Sequence, residues 1–567
     1  MKSRIFLGTL FLFITVCDRQ LVGPLRDNPF DTKNEITSGD PFNLQTKNLS
    51  DHILITWEYT YDTPVPENYR LYRVNSSGID TLYTGTNKTF QDNSVEWDST
   101  YSYYVTAIIN TKETQPTEVS ELPEIIRRIY VGEGMGYTNI GSALEIVDSG
   151  NVVYVMPGSY TESIDFKGKK FTLYCAGEAG SCILDGQNSK RVVTFSGGED
   201  ATTILDGFTI INGKSSGNGG GIVIHSSQQL KSSPLIINCI ISNNETSGYG
   251  GALSIGRAAM PIIRGCIFNN NNALNDGGAI FCDWNSKPKI ENCTFTGNIS
   301  TAGNGGAITA DEATPVITSC TFNSNQALAG SGGALNLTGV EDVTINLSDF
   351  TSNEAKKGGA VNLDNCNDIQ FTQCRFTSNI SIHQGGGFYI HQSGQLQPIS
   401  IENCILWKQS AGSGGAIYIF HTMYSGEKNI RINHCTIVGN KAEGLGQQSV
   451  GGGMYLLPLS NVEVSNSIFW QNTSDYIPLN DPGNNISDIY DGGLSSFTTV
   501  TYTNIVDWEG VGNITTDNPL FTDPENENFT IQPTSPCKDA ADPNDALDTD
   551  GTRADMGAHG GSLGDWE

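Results

Sequence analysis

From Cys239 onward one short pattern returns nine times, and no other feature restricts the fold as much. Its anchor is a cysteine, or a serine in its place: Cys239, Cys266, Cys293, Cys320, Ser348, Cys374, Cys404, Cys435 and Ser467. Successive anchors lie 27, 27, 27, 28, 26, 30, 31 and 32 residues apart. Three residues before them stand Ile236, Ile263, Ile290, Ile317, Ile345, Phe371, Ile401, Ile432 and Val464. Two after come Ile241, Phe268, Phe295, Phe322, Phe350, Phe376, Leu406, Ile437 and Phe469. Five after come Asn244, Asn271, Asn298, Asn325, Asn353, Asn379, Gln409, Asn440 and Asn472, and a glycine pair follows each time, as in Gly277-Gly278.

A period in the twenties is one turn of a β-solenoid. Parallel strands stacked about 4.8 Å apart place equivalent side chains above one another. The isoleucine and phenylalanine columns then become interior stacks. The asparagines can bond the main chain of neighbouring coils at a bend, and paired glycine permits a sharp turn where φ is positive. The spacing therefore predicts an all-β chain dominated by a parallel β-helix over residues 127–510. Ahead of the first coils, Ile140, Ala143, Leu144 and Val147 follow helical spacing, with Thr138 or Asn139 as N-cap. A short helix there would cover the open apolar end of the solenoid.

The preceding chain differs. Residues 41–123 alternate like short antiparallel strands, as in Ile53–Trp57, Tyr69–Arg73 and Tyr101–Ile108, which suits a β-sandwich. Residues 17–40 are polar and read as a linker, and residues 1–16 carry Lys2, Arg4 and an uncharged apolar run, the pattern of an export signal. A formal net charge of −29 argues against nucleic acid as a partner, and an anionic polysaccharide would be repelled unless divalent cations bridged it.

Three resemblances follow from these residues. The repeat resembles the pectate-lyase-like superfamily, whose solenoids are right-handed; the likeness speaks to fold rather than activity. Trp57, and Tyr101 six residues before Ala107, resemble the buried tryptophan and tyrosine corner of a fibronectin type III module, which implies a spacer. Ile14-Thr15-Val16-Cys17 resembles a bacterial lipobox, which implies lipidation of Cys17, an outer-membrane or cell-surface address and contact with the membrane through the lipid; Val16 departs from the usual small residue. The tail, residues 511–567, is similar to the closing segment of exported β-helix proteins and is expected to cap the last coil.

Among residues able to carry chemistry, the anchor cysteines read as interior filling, while Cys175 and Cys182 flank a turn and are placed to pair in an oxidising compartment. Four residues past the first glycine of each pair runs an outward column holding Phe281, Tyr389, Tyr418 and Tyr455, expected to form an exposed aromatic strip on which sugar rings stack; the alternative is a structural stack beneath a loop. Two positions further on, Asp283 and Asp311 should stand one coil apart, with Arg257 and Glu312 beside them. In the lyases of the resembled superfamily such carboxylates hold calcium and an arginine or lysine takes the proton, which makes Arg257, Asp283 and Asp311 the candidate catalytic set. Close carboxylates would also suit glycoside hydrolysis, and polar turn residues facing water are the plainer alternative. In the tail, Asp548, Asp550 and Asp555 around Gly551 have the look of a cation loop, so calcium is the one candidate cofactor and none is required.

These features lead to an exported surface lipoprotein whose β-helix binds glycan or another envelope partner without catalysis. A polysaccharide lyase or glycoside hydrolase and a purely structural envelope protein remain the alternatives.

Overall fold

A computed structural model describes residues 42–48, 53–59, 65–75, 78–94, 101–109, 112–113 and 128–566, excepting 179, 227–229, 394–397, 422–429, 445–448, 458–459, 476–487, 492–497 and 507. The export signal, Cys17 and the linker lie outside the described residues. The chain divides into two units, Met1–Arg128 and Ile129–Glu567.

The first unit holds two antiparallel sheets, one of strands Phe42–Asn48, Ile53–Tyr59 and Thr89–Asp92, the other of Asn68–Asn75, Gly78–Gly85, Ser102–Ile109 and Lys112–Glu113. Alternation buries Ile53, Ile55 and Trp57 from the first sheet against Tyr69, Leu71, Tyr103 and Val105 of the second. Trp57 meets Tyr69 edge-on at 6.1 Å, and the buried Tyr103 hydroxyl donates to Asp92 at 2.9 Å.

The second unit is a right-handed parallel β-solenoid of four sheets with 14, 12, 10 and 12 strands, in the order a coil visits them. One coil shows the plan: Ile262–Arg264 in the first sheet, Ile267–Asn269 in the second, Asn272–Ala273 in the third and Ile280–Cys282 in the fourth. Pairing is in register, so Phe268, Phe295 and Phe322 lie directly above one another. From Phe268 to Phe376 the rings stack with centroids 4.6–4.8 Å apart and planes 5–6° from parallel. The bend from second to third sheet turns on a residue near φ +55°, such as Asn270 or Ser324, and the ladder asparagine follows it. Every ladder asparagine described is buried.

The two glycines of each pair serve different needs. The first, as in Gly277 and Gly305, takes φ of +72° and +62°. The second faces the coil above: a Cβ on Gly278 would collide with the carbonyl of Gly306, and one on Gly306 with that of Gly333. At the N-terminal end the helix Ile140–Ile146 forms, with Asn139 Oδ1 accepting from Ser142 N at 2.9 Å. Glu162 accepts two more first-turn N–H groups, from Ile140 and Gly141. Ile140, Ala143 and Val147 then bury against the first coil.

Cys175 and Cys182 are joined by a disulfide with Cα atoms 5.7 Å apart, and the ten free cysteines among the described residues are all buried. The anchor site suits a hydroxyl equally well. Ser348 Oγ donates to Asn346 O at 2.8 Å, just as Cys320 Sγ donates to Thr318 O at 3.3 Å, and it also accepts from Cys320 N at 3.1 Å. Cys320→Ser is therefore expected to cost about 1 kcal/mol or less in a chemical-denaturation experiment, because the new hydroxyl finds its partners in place; a loss of several kcal/mol would contradict this reading of the column.

The tail departs from expectation in part. At the end of the solenoid Val500 and Ile505 are buried and Trp508 packs against the core, and Val511 and Ile514 at the start of the tail pair with this last coil. Residues 519–566 instead turn back along the flank, over the outward face of the second sheet. Phe521, Phe529, Cys537, Met556 and Ala558 form a separate apolar cluster there with Ile405, Trp407, Val438 and Ile468 of the solenoid. The corner residues of successive coils hold it: Asn466 Oδ1 accepts from Asp542 N, His434 Nε2 bonds Asp545 at 3.0 Å, Asn403 Nδ2 donates to Ala558 O, and Gln373 Nε2 donates to Leu563 O at 2.8 Å. The physical reason is coverage. Three coils carry apolar residues on that flank, which would be wet without the tail over them.

Candidate functional site: a cleft where the tail meets the solenoid

The outward aromatic column is stacked as expected, but Phe281, Tyr389 and Tyr418 are buried and Tyr455 is half-buried. Tyr389, Tyr418 and Tyr455 follow each other at 5.5 and 4.8 Å with planes 14° and 10° apart, yet Tyr389, Tyr418 and Phe281 are only 8%, 6% and 6% accessible. Neighbours from the third sheet and from the loop that follows it lie over this column. Tyr249 lies 4.7 Å from Phe281, and Lys357 Nζ lies 4.8 Å from the Tyr389 ring centre. Burial accordingly raises the Tyr418 hydroxyl above its ordinary value, with its tyrosine neighbours adding to the shift. The tyrosine rings lie against one another along the column.

The acidic row is brought together. Cys282 pairs with Ala310, so Asp283 and Asp311 follow on adjacent coils, and Arg257 Nε lies 3.4 Å from Asp283 Oδ2. Burial raises the Asp311 carboxyl, and Glu312, Asp276 and Asp283 raise it further. Further along the same edge His391 Nδ1 sits 2.7 Å from Asp364 and stacks on Phe420. Among the described residues no three carboxylate, imidazole or thiol groups converge as a metal site needs.

The tail aspartates bind main chain. Asp548 accepts from Asp555 N at 3.0 Å and Gly561 N at 2.6 Å, Asp550 from Thr552 N at 2.8 Å, and Asp555 from Asp539 N at 2.6 Å. Burial, and then the Asp555 charge, push the Asp548 carboxyl up to about 6. A carboxyl whose folded value is raised takes up its proton in the folded state first, so its contribution to stability grows as pH falls from 7 toward 5. The gain in Tm over that interval is expected to be larger in the native chain than in Asp548→Asn. Equal gains would rule out Asp548 as the group responsible.

One cleft of about 410 Å³ opens where the tail meets the solenoid. Asp349 and Arg375 enter it from the second sheet, where they are paired in register at the first position of Asp349–Thr351 and Arg375–Thr377. Asn526, Glu527 and Asn528 face them from the tail, at a turn where Glu527 takes φ +65°. Leu347, Gln373 and Trp566 complete the wall. Arg375 reaches Glu527 at 3.7 Å. Burial raises the Asp349 carboxyl above its ordinary value, with Arg375 opposing the shift and Glu527 adding to it. Trp566 is held before any ligand arrives, because its indole N–H donates to Ala558 O at 3.0 Å and its ring stacks on His559.

The sequence reading missed this site. Its one signal lies in the outward positions of the second sheet. They read Thr294, Thr321, Asp349 and Arg375, then turn to Ile405, and the neighbouring outward positions turn from Thr377 to Trp407, Val438 and Trp470. A flank that changes from polar to apolar marks where something covers it, and the cleft sits at that change.

The family model described as "Right handed beta helix region" matches residues 193–376 and 359–519. The chain belongs to this family. No curated protein matches it significantly in sequence. Similar solved structures include a mannuronic-acid-specific polysaccharide family 6 lyase from human gut microbiota, at 11% identity and TM-score 0.35 over 60% of this chain and 87% of that one. The pectin methylesterase of Aspergillus niger matches at 15% identity and TM-score 0.26, over 53% and 90%, and pectate lyase Pel9A at 11% and 0.28, over 76% and 96%. Superpositions this loose carry nothing about activity.

Proposed function

We propose that this chain is an exported surface lipoprotein whose solenoid binds glycan without turning it over, with the N-terminal unit acting as a fibronectin type III-like spacer. The observation that carries the reading is the cleft. Vicinal sugar hydroxyls donate and accept at once, and planar amide, carboxylate and guanidinium groups meet them in pairs. The apolar face of a pyranose packs on an indole. The cleft offers all of these around one hollow, with Gln373, Arg375, Asn526 and Asn528 as the polar set and Trp566 as the platform.

The test is binding and turnover on one glycan panel, neutral oligosaccharides and polyuronates alike, with and without calcium. Retention without product is expected, and Trp566→Ala or Arg375→Ala should weaken it at least tenfold, which is about 1.4 kcal/mol. The competing reading, hydrolysis or elimination at the acidic row, draws on the raised Asp311 carboxyl. Shortened or unsaturated products that vanish in Asp283→Ala or Arg257→Ala would establish it and displace the binding reading.

A further inference from the structure

We infer that the cleft selects uncharged sugars and rejects uronates. The inference rests on the glycan-binding reading above and names the ligand class of that site. A uronate carboxylate needs a cation to meet it. The lining supplies one guanidinium, Arg375, and it stands between two carboxylates: Asp349 is its in-register neighbour on the adjacent coil, and Glu527 lies 3.7 Å away. The local sum is negative, and the formal charge of −29 on the whole chain adds to it. A third negative charge entering this hollow would face both carboxylates at short range.

The other polar groups suit hydroxyls. Gln373 gives one of its two amide hydrogens to Leu563 O at 2.8 Å and keeps its carbonyl oxygen as an acceptor. Asn526 donates to Asp523 at 2.8 Å, also keeping its oxygen, while Asn528 accepts from Thr530 N at 3.1 Å and keeps its amide hydrogens as donors. Acceptors and donors mixed around one ring match hydroxyls, which use both, whereas a carboxylate can use only the donors.

The experiment compares neutral hexose oligomers with oligouronates of the same length by calorimetry in EDTA, using the full chain. The native protein is expected to bind at least one neutral oligomer tenfold or more tightly than any oligouronate. In Asp349→Asn combined with Glu527→Gln the preference should shrink at least tenfold, because Arg375 then faces a cleft without carboxylates. Glu527→Gln alone, a change on the tail, should move the ratio in the same direction if the double variant folds poorly. An oligouronate bound as tightly as the best neutral oligomer overturns the proposal and leaves the cleft a glycan site. An unchanged preference in folded variants overturns the assignment to these carboxylates. A native chain that binds neither class removes the glycan-binding reading itself.

Discussion

Asn298→Ala is expected to lower the unfolding free energy of the solenoid by roughly 3–6 kcal/mol, since each buried polar group left without a partner costs about 1–3 kcal/mol. Asn298 is fully buried and makes four bonds in the ladder. Its Oδ1 accepts from Asn271 N at 3.1 Å and from Asn271 Nδ2 at 2.9 Å, and its Nδ2 donates to Phe268 O and to Asn325 Oδ1, both at 2.9 Å. Alanine would strip partners from both neighbouring coils at once, in a position water does not reach. The exposed Asn323 provides the control: Asn323→Ala should change stability by no more than about 0.5 kcal/mol. Denaturant titration of both variants decides the matter. Similar losses from the two would mean that the ladder contributes nothing special.

Removing residues 519–567 is the second large effect. The tail and flank together bury Ile405, Trp407, Val438, Ile468, Phe521, Phe529 and Met556. At about 1.5–3 kcal/mol per large apolar side chain, the gross burial is on the order of 10 kcal/mol. The truncated chain would present Trp407 and Ile468 to water and lose Trp566 and the Asn526–Asn528 wall. It is expected to bind a hydrophobic dye, to self-associate in gel filtration and to lose glycan retention entirely. A monomeric truncation that still retains glycan would mean that the cleft is not the site.

Much of this fold was legible because its physics repeats. Ile263, Ile290 and Ile317 announce an inward position, Asn271, Asn298 and Asn325 a buried bend, and Gly278 and Gly306 a close approach of coils; each statement is made several times over in the sequence. What escaped depends on contacts that happen once. Tyr249, on a loop, and Lys357, at the end of a third-sheet strand, lie over the aromatic column, and alternation along a strand shows only that a side chain points away from the core, never what lies above it. The cleft joins Asp349 and Arg375 to a tail segment far along the chain, and no period links them. The change from Thr377 to Trp407 was a visible trace of the covered flank, and it is intelligible only once the outward positions are compared coil by coil.

A crystal structure of the full chain soaked with the neutral oligosaccharide it retains most tightly tests the cleft directly. The account predicts a sugar ring lying on Trp566, with hydroxyls reaching Arg375, Gln373 and the Asn526–Asn528 turn. A sugar seated along Asp283 and Asp311, or anywhere that leaves this hollow empty, would contradict it.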